Sequence, residues 1–242
     1  MSHFDDASNL VNYCKDSFEK IKKDYEESLH EKTVKTSLLI EIKNFMENLR
    51  SALDFCAHGL FDKYGDQAKK GAKIYFPYAW EGLDAASFKS KKIIDQKIPG
   101  LPSNRPDIAS KIESYQYFAD PKNHWLPKFM DLNNENKHQN LTPQQRKEIK
   151  QLKISSGKVD LLLGDGATLK LGSGASITLG GLKIPGGQTI NADNPAKFYG
   201  DGKQEIIVWV SFHFTSNDEP VLPLLSASLN GVDKIITELK AI

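Results

Sequence analysis

Leu38, Ile42, Phe45, Leu49, Leu53, Cys56 and Leu60 advance by three or four residues, the spacing that keeps side chains on one face of an α-helix, and Gly65 offers a stop. A helix of about eight turns is predicted there. A first amphipathic helix is predicted over 5–30, where Leu10, Tyr13, Cys14, Phe18, Ile21 and Tyr25 recur among Asp, Glu and Lys. Glycine at 71, 82 and 100 and proline at 77, 99, 102 and 106 then break the chain into short apolar pieces. A structureless stretch of that length is unusual in a compact fold, so short helices are expected at 84–96 and 105–117, with an extended piece at Ile74-Tyr75-Phe76-Pro77. A further helix is predicted from Pro121 to Asn140, entered through Trp125 and carrying Leu126, Phe129 and Met130 on its apolar side.

Beyond Lys158 the period changes from helical to alternating. Val159 to Gln188 is a succession of short β-prone pieces parted by single or paired glycines, which reads as a meander. Gly164-Asp165-Gly166 lacks the lysine and the strand-to-helix context of a phosphate-cradling loop, so hairpin turns are the reading adopted. Ile206, Val208, Val210, Phe212 and Phe214 share one face of a strand expected at the centre of the sheet. A last helix from Pro220, striped by Leu222, Leu225, Leu229, Val232, Ile236 and Leu239, is expected to cover that sheet. The predicted class is therefore α+β: a helical bundle over 1–150, then a small antiparallel sheet with a covering C-terminal helix over 151–242.

Composition narrows the picture only a little. The hydrophobic share of 39% and charged share of 26% over 242 residues are those of a folded globular chain. The net charge of +1 supplies no long-range field for nucleic acid or an anionic membrane, so any such contact needs a local patch. The part beyond residue 158 carries 6 Lys and Arg against 9 Asp and Glu, which leaves the surplus of positive charge on the helical part. Cys14 and Cys56 stand far apart and read as reduced thiols. The first residues lack a signal-peptide pattern and no apolar run approaches about 18 residues, so a cytoplasmic address and no membrane contact are expected.

Candidate chemistry sits on two helices. Arg50, Asp54 and His58 are spaced four apart and stack in a row beside the apolar stripe, with Asn48 close by in sequence. Met130, Asn134 and His138 form a second such row, with Asn133, Asn136 and Lys137 beside it. If the two helices dock, an arginine, an aspartate, several amides and a histidine converge in one semi-buried place. Three readings stay open: a hydrogen-bonded network that fixes helix register, a site in which His138 transfers a proton and Arg50 or Lys137 stabilises developing negative charge, or a solvated patch with no role. No second His or Cys stands near any histidine at ligand spacing, so neither a metal nor another cofactor is expected.

The segments Asn48-Leu49-Arg50-Ser51-Ala52-Leu53-Asp54, Phe76-Pro77, Ile98-Pro99-Gly100-Leu101, Tyr115-Gln116-Tyr117 and Asn134-Glu135-Asn136-Lys137-His138 resemble, in that order, a widespread family of bacterial and phage proteins with N-L-R-S-A-L-D, F-P, Q-P-Y and N-x-D-K-H motifs. That family in turn is similar to the HEPN helical domains. The resemblance implies a four- or five-helix bundle that often dimerises, an RNA or protein partner, and a part in phage defence or a toxin-like system. Metal-independent RNA cleavage by HEPN domains goes with R-x(4 to 6)-H. Here Asn133, Leu132 and Asp131 precede His138 in place of arginine, Phe55 stands where the family commonly has His, Asn136 replaces Asp, and Tyr117 replaces Pro. The expectation is thus a HEPN-like binding or regulatory protein, with a metal-independent ribonuclease using His138 and Arg50 or Lys137 as the alternative.

Overall fold

The computed structural model describes residues 2–31, 34–138 and 143–242, the side chains of Leu29, His30, Glu31, Asn136, Lys137, His138 and Trp209 excepted. The chain is α+β and divides into two compact units, one running to Gln145 and resuming at His213, the other Arg146–Phe212.

In the first unit, α1 (His3–Glu31) and α2 (Thr36–Tyr64) lie against each other. Their shared seam is written in a 3.5-residue period: Phe4, Ala7, Val11, Cys14, Phe18, Ile21 and Tyr25 on α1 face Leu38, Ile42, Phe45, Leu49, Leu53, Cys56 and Leu60 on α2, all buried. On α1 the buried line runs through Val11 and Cys14, so Leu10, predicted within the stripe, lies at its margin, and Tyr13, also predicted within it, is 60% exposed.

The predicted helix at 84–96 is two helices, α3 (Ala85–Ser90) and α4 (Ile93–Lys97), because Lys92 between them takes a left-handed φ of 51°. Asp84 starts α3 by accepting the Ser87 N–H at 2.6 Å. Then come α5 (Leu101–Asn104) and α6 (Pro106–Ser114), each with proline in its first turn, where no N–H is required. A 3-10 turn over Pro121–His124 leads into α7 (Trp125–His138).

The second unit begins with β1 (Gln144–Ser156), a strand falling partly where the helical bundle is expected to continue. Its alternation is hidden by charge at the start and shows only at Leu152, Ile154 and Ser156, which are buried. After β1 come β2 (Val159–Leu163), β3 (Leu169–Leu171), β4 (Ser176–Leu179), β5 (Leu182–Pro185), β6 (Gln188–Ile190), β7 (Tyr199–Gly200) and β8 (Lys203–Phe214). The expected single sheet is three small ones: β2-β1-β8, β3-β6 and β4-β5-β7, with β1–β2, β3–β6, β4–β5 and β5–β7 paired antiparallel. The strand expected at the centre is at an edge. β1 takes the middle, and Ile206 and Val208 of β8 are 45% and 48% exposed. Leu152, Ile154, Leu182, Ile184, Ile190 and Ala196 form this unit's own core.

The last helix, α8 (Val221–Lys240), corrects a second expectation. Its stripe packs on α1, α2 and α7, so it completes the helical unit instead of belonging with the β-rich region. Val221, Leu225, Val232, Ile236 and Leu239 are buried there because three helices offer a deeper apolar groove than short, glycine-parted strands can. No helix among the described residues is long and apolar enough to cross a membrane.

Candidate functional site

The α2 and α7 helices dock, as the convergence of their polar rows requires. Arg50 Nη1 donates to Asn134 Oδ1 at 2.7 Å, and Asn134 Nδ2 donates to the Tyr78 hydroxyl at 3.4 Å. The same row of α2 holds the extended segment in place: Asp54 Oδ1 accepts the Phe76 N–H at 3.0 Å. Phe76 is buried, so this bond fixes Tyr78 two residues on. A second anchor is Gln116, fully buried just beyond α6. Its Oε1 accepts the Ala79 N–H at 2.8 Å, while its Nε2 donates to Pro77 O at 3.3 Å and Ile112 O at 3.0 Å. Segment 76–79 is thereby held on both sides, and Tyr78 is presented to Asn134.

Among the described residues no carboxylate stands within 4.0 Å of Arg50, and its buried Nε has no hydrogen-bond partner. Buried cationic groups are normally paired, because losing water around a charge is costly. A planar fork of donors that meets, among the described residues, only an amide oxygen is suited to receive a carboxylate or phosphate.

Other expected members go elsewhere. His58, one turn beyond Asp54, stacks obliquely on His3 of α1 with ring centroids 5.5 Å apart, and His3 Nε2 lies 3.2 Å from Asp62 Oδ2. Phe55 joins that group, its ring 6.0 Å from His3. Asn48 faces the groove between α1 and α2, with Tyr13, Lys20, Glu41 and Asn44. Asn133 is fully buried and serves the helix, its Nδ2 donating to Phe129 O at 2.9 Å. The side chains of Asn136, Lys137 and His138 lie outside the described residues, although α7 stays helical through His138. Among the described residues no group of three or more His, Cys, Asp or Glu is arranged to hold a metal ion.

Tyr78, bonded to Asn134, and Gln116, which holds the segment carrying Tyr78, are not found by periodicity. The signal available for Tyr78 is the aromatic run Tyr75-Phe76-Pro77-Tyr78-Ala79-Trp80, dense in large side chains yet neither helical nor alternating in a sheet, and for Gln116 it is the Tyr115-Gln116-Tyr117 motif. No protein-family model, curated protein or solved structure gives a significant match to this chain.

Proposed function

We propose that the chain is a helical binding or regulatory protein, HEPN-like in kind, whose α2–α7 seam receives an anionic group of its partner, with RNA the partner considered first. Arg50 carries this reading: a half-buried guanidinium bonded to Asn134 and to no carboxylate among the described residues. A phosphate oxygen would fill its remaining donors with charge-assisted hydrogen bonds, each stronger than the amide contact already present. A role in phage defence or a toxin-like system follows the same reading, since such a protein acts by engaging RNA or a partner protein.

The second reading is a metal-independent ribonuclease. Its support is the continuity of α7, which sets His138 one helical turn beyond the asparagine that Arg50 holds. In that case His138 transfers the proton, and Arg50 or Lys137 stabilises the negative charge developing on the phosphoryl oxygens. A homodimer would place two such seams in one particle.

One set of samples tests both. Purified protein, Arg50→Gln and His138→Ala are incubated with mixed cellular RNA in chelator, and retention and cleavage are read on the same gel, with particle mass from light scattering. Binding without cleavage, weakened about tenfold or more by Arg50→Gln, is the outcome expected of the binding protein. Cleavage abolished by His138→Ala would establish the nuclease instead. RNA neither retained nor cut, with no growth effect on expression, would remove both.

A further inference from the structure

A second feature adjoins the seam through Tyr78. The residues Tyr78, Trp80, Lys91, Ile93, Gln96 and Lys97 line a crevice of about 350 Å³. Its wall is aromatic on one side and basic on the other, and no carboxylate lines it. Trp80 stands 43% exposed at the corner of a turn closed by the Leu83 N–H to Trp80 O bond at 3.0 Å. Gly82 takes the third position of that turn with φ of 85°, a conformation that favours glycine. Opposite it, the left-handed turn at Lys92 sets α3 and α4 at an angle, so Lys91 at the end of one helix and Lys97 at the end of the other border the same space. Gln96 braces the corner by donating to Lys91 O at 2.8 Å.

Among the described residues no carboxylate neutralises the charge at this mouth. Neighbouring lysines are paired, Lys89 with Glu113 at 3.0 Å and Lys111 with Glu238 at 2.7 Å. Lys91 and Lys97 have no carboxylate within 4.0 Å among the described residues, and Lys97 Nζ lies 5.7 Å from the Tyr75 ring, itself 40% exposed. The Tyr78 hydroxyl accepts from Asn134, which leaves its own proton to donate. A large exposed indole, a phenol with a free proton and two uncompensated ammonium groups around one crevice match a flat aromatic group joined to an anion.

We propose that this crevice binds a nucleotide, the base stacking on Trp80 beside Tyr78 and the phosphate lying between Lys91 and Lys97. Stacking on aromatic faces together with unpaired cations is the general means by which bases and their phosphates are held. The inference extends the reading of the Arg50 seam, sharing Tyr78 with it, but rests on different residues. The same chemistry is offered by a free mononucleotide and by one nucleotide of a single strand.

The test is calorimetric titration of the full chain with 5′-AMP and, separately, with a short single-stranded oligoadenylate, using wild type, Trp80→Ala, Trp80→Phe, the Lys91→Gln/Lys97→Gln double variant and Arg50→Gln. Both Trp80 and the lysines are at the surface, and circular dichroism verifies that the variants remain folded. Weakening by about tenfold in Trp80→Ala and in the double variant, with most of the loss restored in Trp80→Phe, is expected. If this pattern is seen with AMP, the source is a free nucleotide; if only with the oligomer, it is a strand. Absence of binding by either ligand at millimolar concentration, or binding that Trp80→Ala and the double variant leave unchanged, overturns the proposal. A loss in Arg50→Gln alone would sink this inference and keep the seam reading, whereas losses in the crevice variants alone would do the reverse.

Discussion

Gly59 of α2 lies beneath the ring of Phe4, so close that a Cβ at that position would stand 2.7 Å from the aromatic carbons. Phe4 is itself buried at the start of α1, and its ring cannot swing into water without giving up that burial. The relationship explains why a glycine is tolerated inside a long helix: it allows α1 and α2 to meet at the end of their seam.

Gly59→Ala should therefore destabilise the protein despite improving helix propensity. Overpacking costs about 1–3 kcal/mol, against about 1 kcal/mol gained by alanine over glycine in a helix. A net loss of about 1 kcal/mol is expected as a lower urea midpoint with an unchanged slope. An unchanged or higher midpoint would show that the ring relocates freely.

Gln116 makes three hydrogen bonds while wholly buried, two of them to segment 76–79. Gln116→Ala leaves the Ala79 N–H and two carbonyls without that partner, at a cost of about 1–3 kcal/mol. Hydrogen exchange should locate the effect, with the Ala79 amide exchanging much faster while amides in the middle of α2 change only with global stability. Equal acceleration everywhere would mean that Gln116 contributes stability but does not specifically hold the segment.

Cys14 and Cys56 are each fully buried, and burial pushes both thiols up to about 12. The thiolate is the reactive form, so native protein at neutral pH should resist alkylation, and both thiols should label once denaturant is added. The folded value lies above the ordinary 9.0, so their contribution to stability is fully present below that pH and is lost as pH rises from 9.0 towards 12. Rapid labelling of either cysteine in the native protein would contradict the packing of α1 on α2.

Glu238 of α8 ties that helix to α6: Lys111 Nζ lies 2.7 Å from its Oε2, and the Tyr115 hydroxyl donates to the same oxygen at 2.9 Å. The Lys111 bond foremost, and then Tyr115, hold the Glu238 carboxyl below its ordinary 4.5. A lowered folded value means the stabilisation is present above 4.5 and disappears as pH falls through the folded value. The Glu238 side chain is 32% exposed and that of Lys111 41%, so solvent screens the pair and replacement of Glu238 by Gln should cost less than about 1 kcal/mol near neutrality. That difference from wild type should shrink as the solution is acidified, and a difference independent of pH would mean that the carboxylate charge is irrelevant.

The helices were the most legible part of the chain. α2 and α8 follow their apolar stripes closely, and α7 begins within four residues of its predicted start, because burial along one face imposes a period that local sequence must carry. β1 escaped because its first half is mostly polar, and alternation becomes visible only at Leu152 and Ile154. The helix predicted at 84–96 was broken by a single backbone angle at Lys92, a residue with no sequence mark of a left-handed conformation. For the candidate site, the pairing of Arg50 with Asn134 follows from two four-residue rows whose helices happen to dock, whereas His58 and Asn48 on the same helix turn towards α1.

What the amino-acid order determined alone was the set of elements with a strong period, the α+β class and the identity of the polar side chains available on α2 and α7. Tertiary structure decided that α8 joins the helices, that β1 and not β8 is central, that Gln116 holds the segment presenting Tyr78 to the seam, and that Trp80 lines a crevice with Tyr78. The physical reason is range. Periodicity records which face of an element is buried, but not which of several apolar surfaces buries it. Hydrogen bonds between residues 84 positions apart, such as Arg50 to Asn134, leave no trace in local spacing.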